Sequence, residues 1–197
     1  MNKIMLTKTV CVYCASSTQC KTEYYKEAEK FGRMLALNNC SIIYGGGNVG
    51  LMGYLADGAL SEGGIVTGVI PVFLKDLELG HKGISELRVV SDMHVRKSVM
   101  LKESDCIVAL PGGCGTYEEL FEAIAWKRLG IINKPIIIVN ILNYFDPLIA
   151  LLEHTRAENF IDEKYDGNWL IAASVEEAMD LIIGNEIMYP KHKDFTE

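Results

Sequence analysis

Cys106-Ile107-Val108-Ala109-Leu110-Pro111-Gly112-Gly113-Cys114-Gly115-Thr116-Tyr117-Glu118-Glu119 runs from a short apolar segment, through a glycine-rich turn, into a helical pattern. Cys106 to Leu110 has the length and β-branched content of a buried strand, and Thr116 to Leu129 has helical spacing. The glycines between them let successive backbone N–H groups turn toward one point. The unpaired N–H groups at a helix start, together with the helix dipole, add partial positive charge there. The Thr116 hydroxyl adds a donor. This reads as a phosphate cradle that needs no lysine. It is not a Walker A loop, because G-x-x-x-x-G-K-[ST] is absent.

The same strand-then-helix unit repeats in both directions. Strands are predicted at Thr9–Ala15, Ser41–Tyr44, Ile65–Ile70, Leu87–Val90, Cys106–Leu110, Pro135–Asn140 and Trp169–Ala172. Helices are predicted at Glu23–Asn38, Leu51–Glu62, Asp92–Lys102, Thr116–Leu129, Asp146–Arg156 and Val175–Ile183. Pro71 to Ser85 reads as irregular and the tail from Gly184 as peripheral. Alternating β and α elements imply an α/β fold with a parallel sheet, right-handed crossovers and helices on both faces. Ligands then bind beyond the carboxyl ends of the strands, where the glycine loops fall.

The chain has 197 residues, 49% hydrophobic and 23% charged, which fits one globular domain. Its net charge of −7 argues against nucleic acid or an anionic membrane as a partner, so an anionic ligand needs a local positive site. Met1 to Thr9 does not read as a secretory signal, and no apolar stretch reaches transmembrane length. Six cysteines without such a signal point to a reducing cytoplasm. Cys11 and Cys14 have C-x-x-C spacing, but they lie along a predicted buried strand and no second pair follows. Structural burial is favoured over metal or redox use.

Gly45-Gly46-Gly47-Asn48-Val49-Gly50 follows a strand and opens a helix. It matches G-x-G-x-x-G, but the next strand ends Thr67-Gly68-Val69-Ile70-Pro71, without the acid a dinucleotide site needs. A nicotinamide-dependent oxidoreductase is thereby weakened, and a ligand-lining loop is favoured over a bare tight turn. On the helix after the cradle, Tyr117, Leu120, Phe121 and Ile124 are read as the core face. Glu119, Glu122 and Trp126 fall opposite, as a pocket wall or a subunit contact. A carboxylate beside bound sugar suits glycosidic cleavage. In Ser91-Asp92-Met93-His94-Val95-Arg96-Lys97-Ser98-Val99-Met100, capping residues precede a helix on which Met93, Arg96, Lys97 and Met100 share a face. Arg96 either lies over apolar surface or points into the site to meet negative charge. His94 is read as a capping or surface group before a proton shuttle.

Tyr44-Gly-Gly-Gly through Gly50-Leu51-Met52-Gly53, Met93-His94-Val95-Arg96-Lys97 and Pro111-Gly-Gly-Cys-Gly-Thr-Tyr-Glu-Glu119, in that order, resemble the Lonely Guy (LOG) family of phosphoribohydrolases. Cys14-Ala15-Ser16-Ser17, Gly68-Val69-Ile70-Pro71, Ser104-Asp105 and Lys134-Pro135 extend the likeness over roughly Val10 to Ile183. The resemblance implies a Rossmann-like single domain and a homodimer. It also implies hydrolysis of an adenine-type nucleoside 5′-monophosphate, a cytokinin riboside 5′-monophosphate or AMP, to free base and ribose 5-phosphate. No cofactor or metal is expected. The family motifs place catalytic roles on Arg96 and Glu119. Ser16, Gly45, Gly46, Gly47, Met93, Lys97, Gly112, Gly113, Gly115, Thr116 and Glu122 are the expected substrate-binding residues. Cys114 occupies the variable position of the glycine motif. The family's old lysine decarboxylase label is disfavoured, since nothing in the sequence places a lysine beside the cradle for pyridoxal phosphate. A non-catalytic nucleotide or cofactor-binding protein of the same fold is the rival reading.

Overall fold

A computed structural model describes residues 8–75, 80–161 and 168–184. The predicted peripheral tail after Gly184 lies outside the described residues. At the centre is β1 (Thr9–Tyr13). Its side chains alternate: Val10 and Val12 enter one core, Cys11 and Tyr13 the other. A strand covered on both faces has no polar side, which is why the run reads as continuously apolar.

The remaining strands are β2 (Ser41–Tyr44), β3 (Val66–Pro71), β4 (Glu86–Val90), β5 (Cys106–Ala109), β6 (Ile136–Val139) and β7 (Leu170–Ala172). They form one sheet in the order β4-β3-β2-β1-β5-β6-β7, with every neighbouring pair parallel. The order turns at β1, with β2 on one side and β5 on the other. A crevice is expected there, beyond the carboxyl ends of these strands.

Helices α1 (Thr22–Leu37), α2 (Gly50–Ser61) and α7 (Val175–Ile183) build the first core. Helices α4 (Met93–Glu103), α5 (Cys114–Arg128) and α6 (Asp146–Ala157) build the second. Helices α1 and α2 approach almost to backbone contact. A Cβ on Gly32 would lie 2.1 Å from the Leu55 carbonyl oxygen, and one on Gly58 would lie 2.1 Å from that of Glu29.

Three expectations are adjusted. The segment read as irregular contains a one-turn helix, α3 (Val72–Lys75). Helix α5 starts at Cys114, before Thr116, and Tyr117 N–H already donates to Gly113 O at 3.0 Å. The faces of α5 also differ in part from the reading. Thr116, Glu119, Leu120, Ala123, Ile124 and Lys127 are its buried residues. Phe121 is 40% exposed, whereas Trp126 is half-buried and packs on the second core. Leu120 and Ile124 are buried and Tyr117 packs on the second core, as read; polar residues share that stripe, and Phe121 and Trp126 depart from the reading.

Candidate active site

Three loops meet where the strand order turns. The loop after β1 donates from Ala15 N–H to the Pro111 carbonyl at 3.2 Å, and its own Ala15 carbonyl accepts from Met52 N–H at 3.3 Å. Gly50 locks the second contact in place. Its φ is +61°, and a Cβ there would lie 2.5 Å from the Ser16 carbonyl carbon. Only glycine fits such a position. Ser16 itself is exposed on this loop.

The Gly45–Gly47 loop divides its duties. Gly45 O accepts from the Arg96 guanidinium at 3.3 Å. Gly46 O accepts from His81 N–H at 3.0 Å, Gly47 bridges Gly80, and Gly47 O accepts from the Tyr44 hydroxyl at 3.1 Å. Gly45 thus borders Arg96, while Gly46 and Gly47 are tied to the segment around His81. That segment is anchored in turn: Gly83 N–H donates to His81 Nδ1 at 3.1 Å, and His81 Nε2 lies 3.1 Å from Asp57 Oδ1 on α2.

Arg96 comes from α4, whose start is capped by Asp92, with Oδ1 accepting from Val95 N–H at 2.9 Å. That bond, with one from Ser91, lowers the Asp92 carboxyl below its usual range. Lys134 closes the other end of α4 by donating to the Leu101 carbonyl at 2.5 Å and to that of Ser104. Cations at a helix C-terminus satisfy its unpaired carbonyls and its dipole. Arg96 is only 6% exposed, and one guanidinium nitrogen lies 3.6 Å from Met93 Sδ. Glu119 on α5 is 8% exposed, and its carboxylate lies 3.9 Å from the Arg96 guanidinium. A buried ion pair is costly to desolvate and is poor evidence of stabilisation. Arg96 Nε is also buried without a hydrogen-bond partner among the described residues, leaving a donor to be explained.

Lys97 and Glu122 make a second set of charge pairs between the same two helices. Lys97 is 5% exposed and forms ion pairs with Glu118 and, at 3.1 Å, with Glu122. Burial works against its charge, but the two carboxylates outweigh it and raise its pKa. The trio ties α4 to α5. Cys14 lies within the field of the central charges: burial first, then Glu119, pushes its thiol up, with Arg96 opposing. Burial likewise pushes Cys11 up. Neither is poised to act as a thiolate.

The cradle follows β5. Gly112 is buried against Thr116, whose Oγ1 would lie 2.0 Å from a Cβ on Gly112. Gly113, Cys114 and Gly115 are exposed, and a Cβ on either glycine would meet nothing within 4 Å. The N-cap of α5 is Gly113, which has no side chain to cap it, and among the described residues its first-turn N–H groups remain open to an anion. The Gly112 carbonyl accepts from the Tyr144 hydroxyl at 2.6 Å. Tyr144 was not among the predicted residues. The signal available for it was the pair Asn140 and Asn143, turn residues closing a strand at the ligand end of the sheet.

Residues 52–182 match the protein family described as "Possible lysine decarboxylase". The cytokinin riboside 5′-monophosphate phosphoribohydrolase of Rhodococcoides fascians is 42% identical over 176 residues, covering 89% of each chain. The chain belongs to the Lonely Guy family. An Arabidopsis thaliana family member with the same enzyme name is 38% identical, over 94% of this chain and 86% of its own. Among solved structures, the molybdenum cofactor binding protein of Rippkaea orientalis superposes with a TM-score of 0.70 at 23% identity, over 91% of this chain and 98% of its own. That likeness speaks to the fold: a Rossmann-like parallel sheet shared across proteins of different printed function. No helix among the described residues is long and apolar enough to cross a membrane.

Proposed function

We propose that this family member hydrolyses the N-glycosidic bond of an adenine-type nucleoside 5′-monophosphate, releasing base and ribose 5-phosphate. The observation that carries the proposal is the meeting of two buried, oppositely charged side chains, Arg96 and Glu119, beside an uncapped helix start and an open glycine loop. The cradle from Gly112 to Thr116 takes the 5′-phosphate through backbone N–H groups. The ribosyl C1′ then lies toward Glu119. As the C1′–N bond breaks, the electron pair leaves with the base and positive charge develops on the ribosyl ring. A buried carboxylate offsets that charge and orients the water whose oxygen bonds to C1′. Across the step water supplies both the hydroxyl that bonds to C1′ and, net, the proton taken up by the leaving base nitrogen. Arg96 stabilises negative charge on the nucleotide or the departing base. Gly45 holds Arg96 in place, and the Lys97–Glu118–Glu122 trio fixes α4 against α5.

The placement of the lysines supports this reading over decarboxylation. Lys97 is held charged by two carboxylates, whereas imine chemistry needs a neutral amine. Lys127, whose ammonium burial pushes down to about 8, feels Cys106 at the opposite end of β5 from the cradle.

The protein acts, in this reading, as a homodimer in a reducing cytoplasm, without nucleic acid as partner. The expected subunit contact moves from Trp126 to the groove between α5 and α6. This groove of about 560 Å3 is lined by Phe121, Leu129, Leu151 and Phe160, with Phe160 75% exposed. Exposed apolar surface of this kind marks an interaction face. All six cysteines are free thiols, which suits a reducing compartment.

Incubation with AMP, N6-isopentenyl-AMP and adenosine, followed by chromatography for free base, tests the proposal. Free base is expected from the two nucleotides, and far less from adenosine, because the binding energy of the phosphate is available to orient the bond. Nucleotide binding without base release would make the chain a binding module. Equal turnover of adenosine and AMP would remove the cradle assignment.

A further inference from the structure

After β6 the chain enters a 3-10 turn, Ile141–Asn143, in which two consecutive non-glycine residues are left-handed: Leu142 at φ 52° and Asn143 at φ 60°. Asparagine tolerates this region, but leucine pays on the order of 1 kcal/mol for it. Such strain persists only where the surroundings over-determine it. Here they do. Asn140 Oδ1 accepts from Phe145 N–H at 2.7 Å, Asn140 Nδ2 donates to Asp146 at 2.7 Å, and Asn140 N–H donates to the Ala172 carbonyl at 2.7 Å. The result is the delivery of one side chain. The Tyr144 ring stands edge-to-face against Tyr24 and Phe145, with centroids 5.8 and 5.0 Å away. Its hydroxyl accepts from Tyr117 OH at 3.4 Å and donates to the Gly112 carbonyl at 2.6 Å. Burial, and then the bond from Tyr117, pushes the phenol up to about 12, so it is a neutral donor at any working pH.

The peptide it grips has a fixed geometry. In a trans peptide the C=O and the following N–H point in opposite directions. Holding the Gly112 carbonyl toward Tyr144 therefore turns the Gly113 N–H to the other side. That N–H heads the exposed stretch from Gly113 to Gly115, around which the structure leaves open space. We propose that Tyr144 is a positioning residue of the phosphate cradle: its hydroxyl, backed by Tyr117, sets the Gly112–Gly113 peptide so that the Gly113 N–H faces the 5′-phosphate. The inference rests on the cradle reading above. It explains why a strained turn on β6, outside both glycine motifs, is built beside the site.

The test is Tyr144→Phe, which keeps the ring contacts and removes the donor, alongside Tyr117→Phe, which leaves Tyr144 in place. Ribose 5-phosphate and ribose binding are measured by calorimetry, AMP and adenosine turnover by base release, and folding by thermal denaturation. Tyr144→Phe is expected to weaken ribose 5-phosphate binding and lower kcat/KM for AMP by roughly tenfold, as the loss of one well-placed hydrogen bond predicts. Turnover of adenosine should be untouched. Tyr117→Phe should shift the AMP-to-adenosine ratio in the same direction by about two- to threefold, since it weakens the Tyr144 donor without removing it. Wild-type affinity for ribose 5-phosphate in both variants would overturn the proposal, as would equal losses on AMP and adenosine, the mark of a purely structural role. Failure of the wild-type protein to prefer ribose 5-phosphate over ribose would overturn the cradle itself, and is read before either variant.

Discussion

Gly45→Ala isolates the placement of Arg96 from the stability of the fold. Gly45 has no left-handed backbone requirement, so alanine is tolerated conformationally. The new Cβ would lie 2.1 Å from an Arg96 guanidinium nitrogen, 3.3 Å from its central carbon and 3.1 Å from Met52 Sδ. Every one of these neighbours belongs to a flexible side chain. To regain ordinary van der Waals separation the guanidinium must retreat by roughly 1.4 Å. It would then lose the Gly45 carbonyl and change its spacing to Glu119. Overpacking of this kind costs about 1 to 3 kcal/mol, at the low end here because the displaced atoms are side-chain ends. A displacement on the order of 1 Å in a catalytic group costs about 100-fold in rate. The expected result is therefore a folded protein, with its denaturation midpoint lowered by a few degrees and its AMP turnover reduced about 100-fold. Steady-state base release and thermal denaturation on the same preparation decide it. A Gly45→Ala protein that turns over AMP at the wild-type rate would refute the argument that Arg96 must sit where Gly45 holds it.

Glu119→Gln should lower turnover by 100-fold or more while leaving AMP affinity by calorimetry nearly unchanged, because its negative charge matters most when positive charge has developed on the ribose. Lys127 predicts a pH dependence of stability. Its folded value of about 8 lies below the ordinary 10.5, so between these limits the unfolded chain holds a proton that the folded chain has released. Stability from this group therefore rises as pH rises from about 8 to 10.5, by an amount on the order of 3 kcal/mol. Lys127→Met should flatten that part of a urea-denaturation profile, and an unchanged profile would remove the assignment. Phe121→Asp should shift the protein toward monomer in sedimentation at micromolar concentration, since a charge in an apolar contact is costly to desolvate. A wild-type monomer under the same conditions would refute the dimer.

The strands were legible because a parallel sheet covered on both faces leaves no polar residue to interrupt Val10 to Tyr13, Cys106 to Ala109 or Ile136 to Val139. The glycine motifs were legible because close backbone contacts impose glycine, as at Gly50 beside Ser16. The face of α5 was legible only in part: Leu120 and Ile124 turn inward as read, but Thr116, Glu119 and Lys127 share the buried stripe with them. A functional site inside a core carries polar residues where periodicity expects apolar ones. The pairing of Lys97 with Glu118 and Glu122 and the grip of Tyr144 on Gly112 join elements distant in sequence, and no local pattern encodes such contacts.

The seam between β1 and β5 has a consequence for how the chain is made. Thr9 N–H bonds to Asp105, 96 residues away, and β1 pairs in register with β5 from Val10 opposite Cys106 onward. As the chain leaves the ribosome, β1 can zip to β2 early but must wait for more than half the protein before its other edge is closed. Until then it presents an apolar strand with unpaired N–H and C=O groups, a template for pairing with another chain. Glu119 emerges only after that closure. A nascent chain stalled or clipped before Cys106 is thus both inactive and prone to aggregate, whereas one extending through α5 acquires its central strand and its carboxylate nearly together.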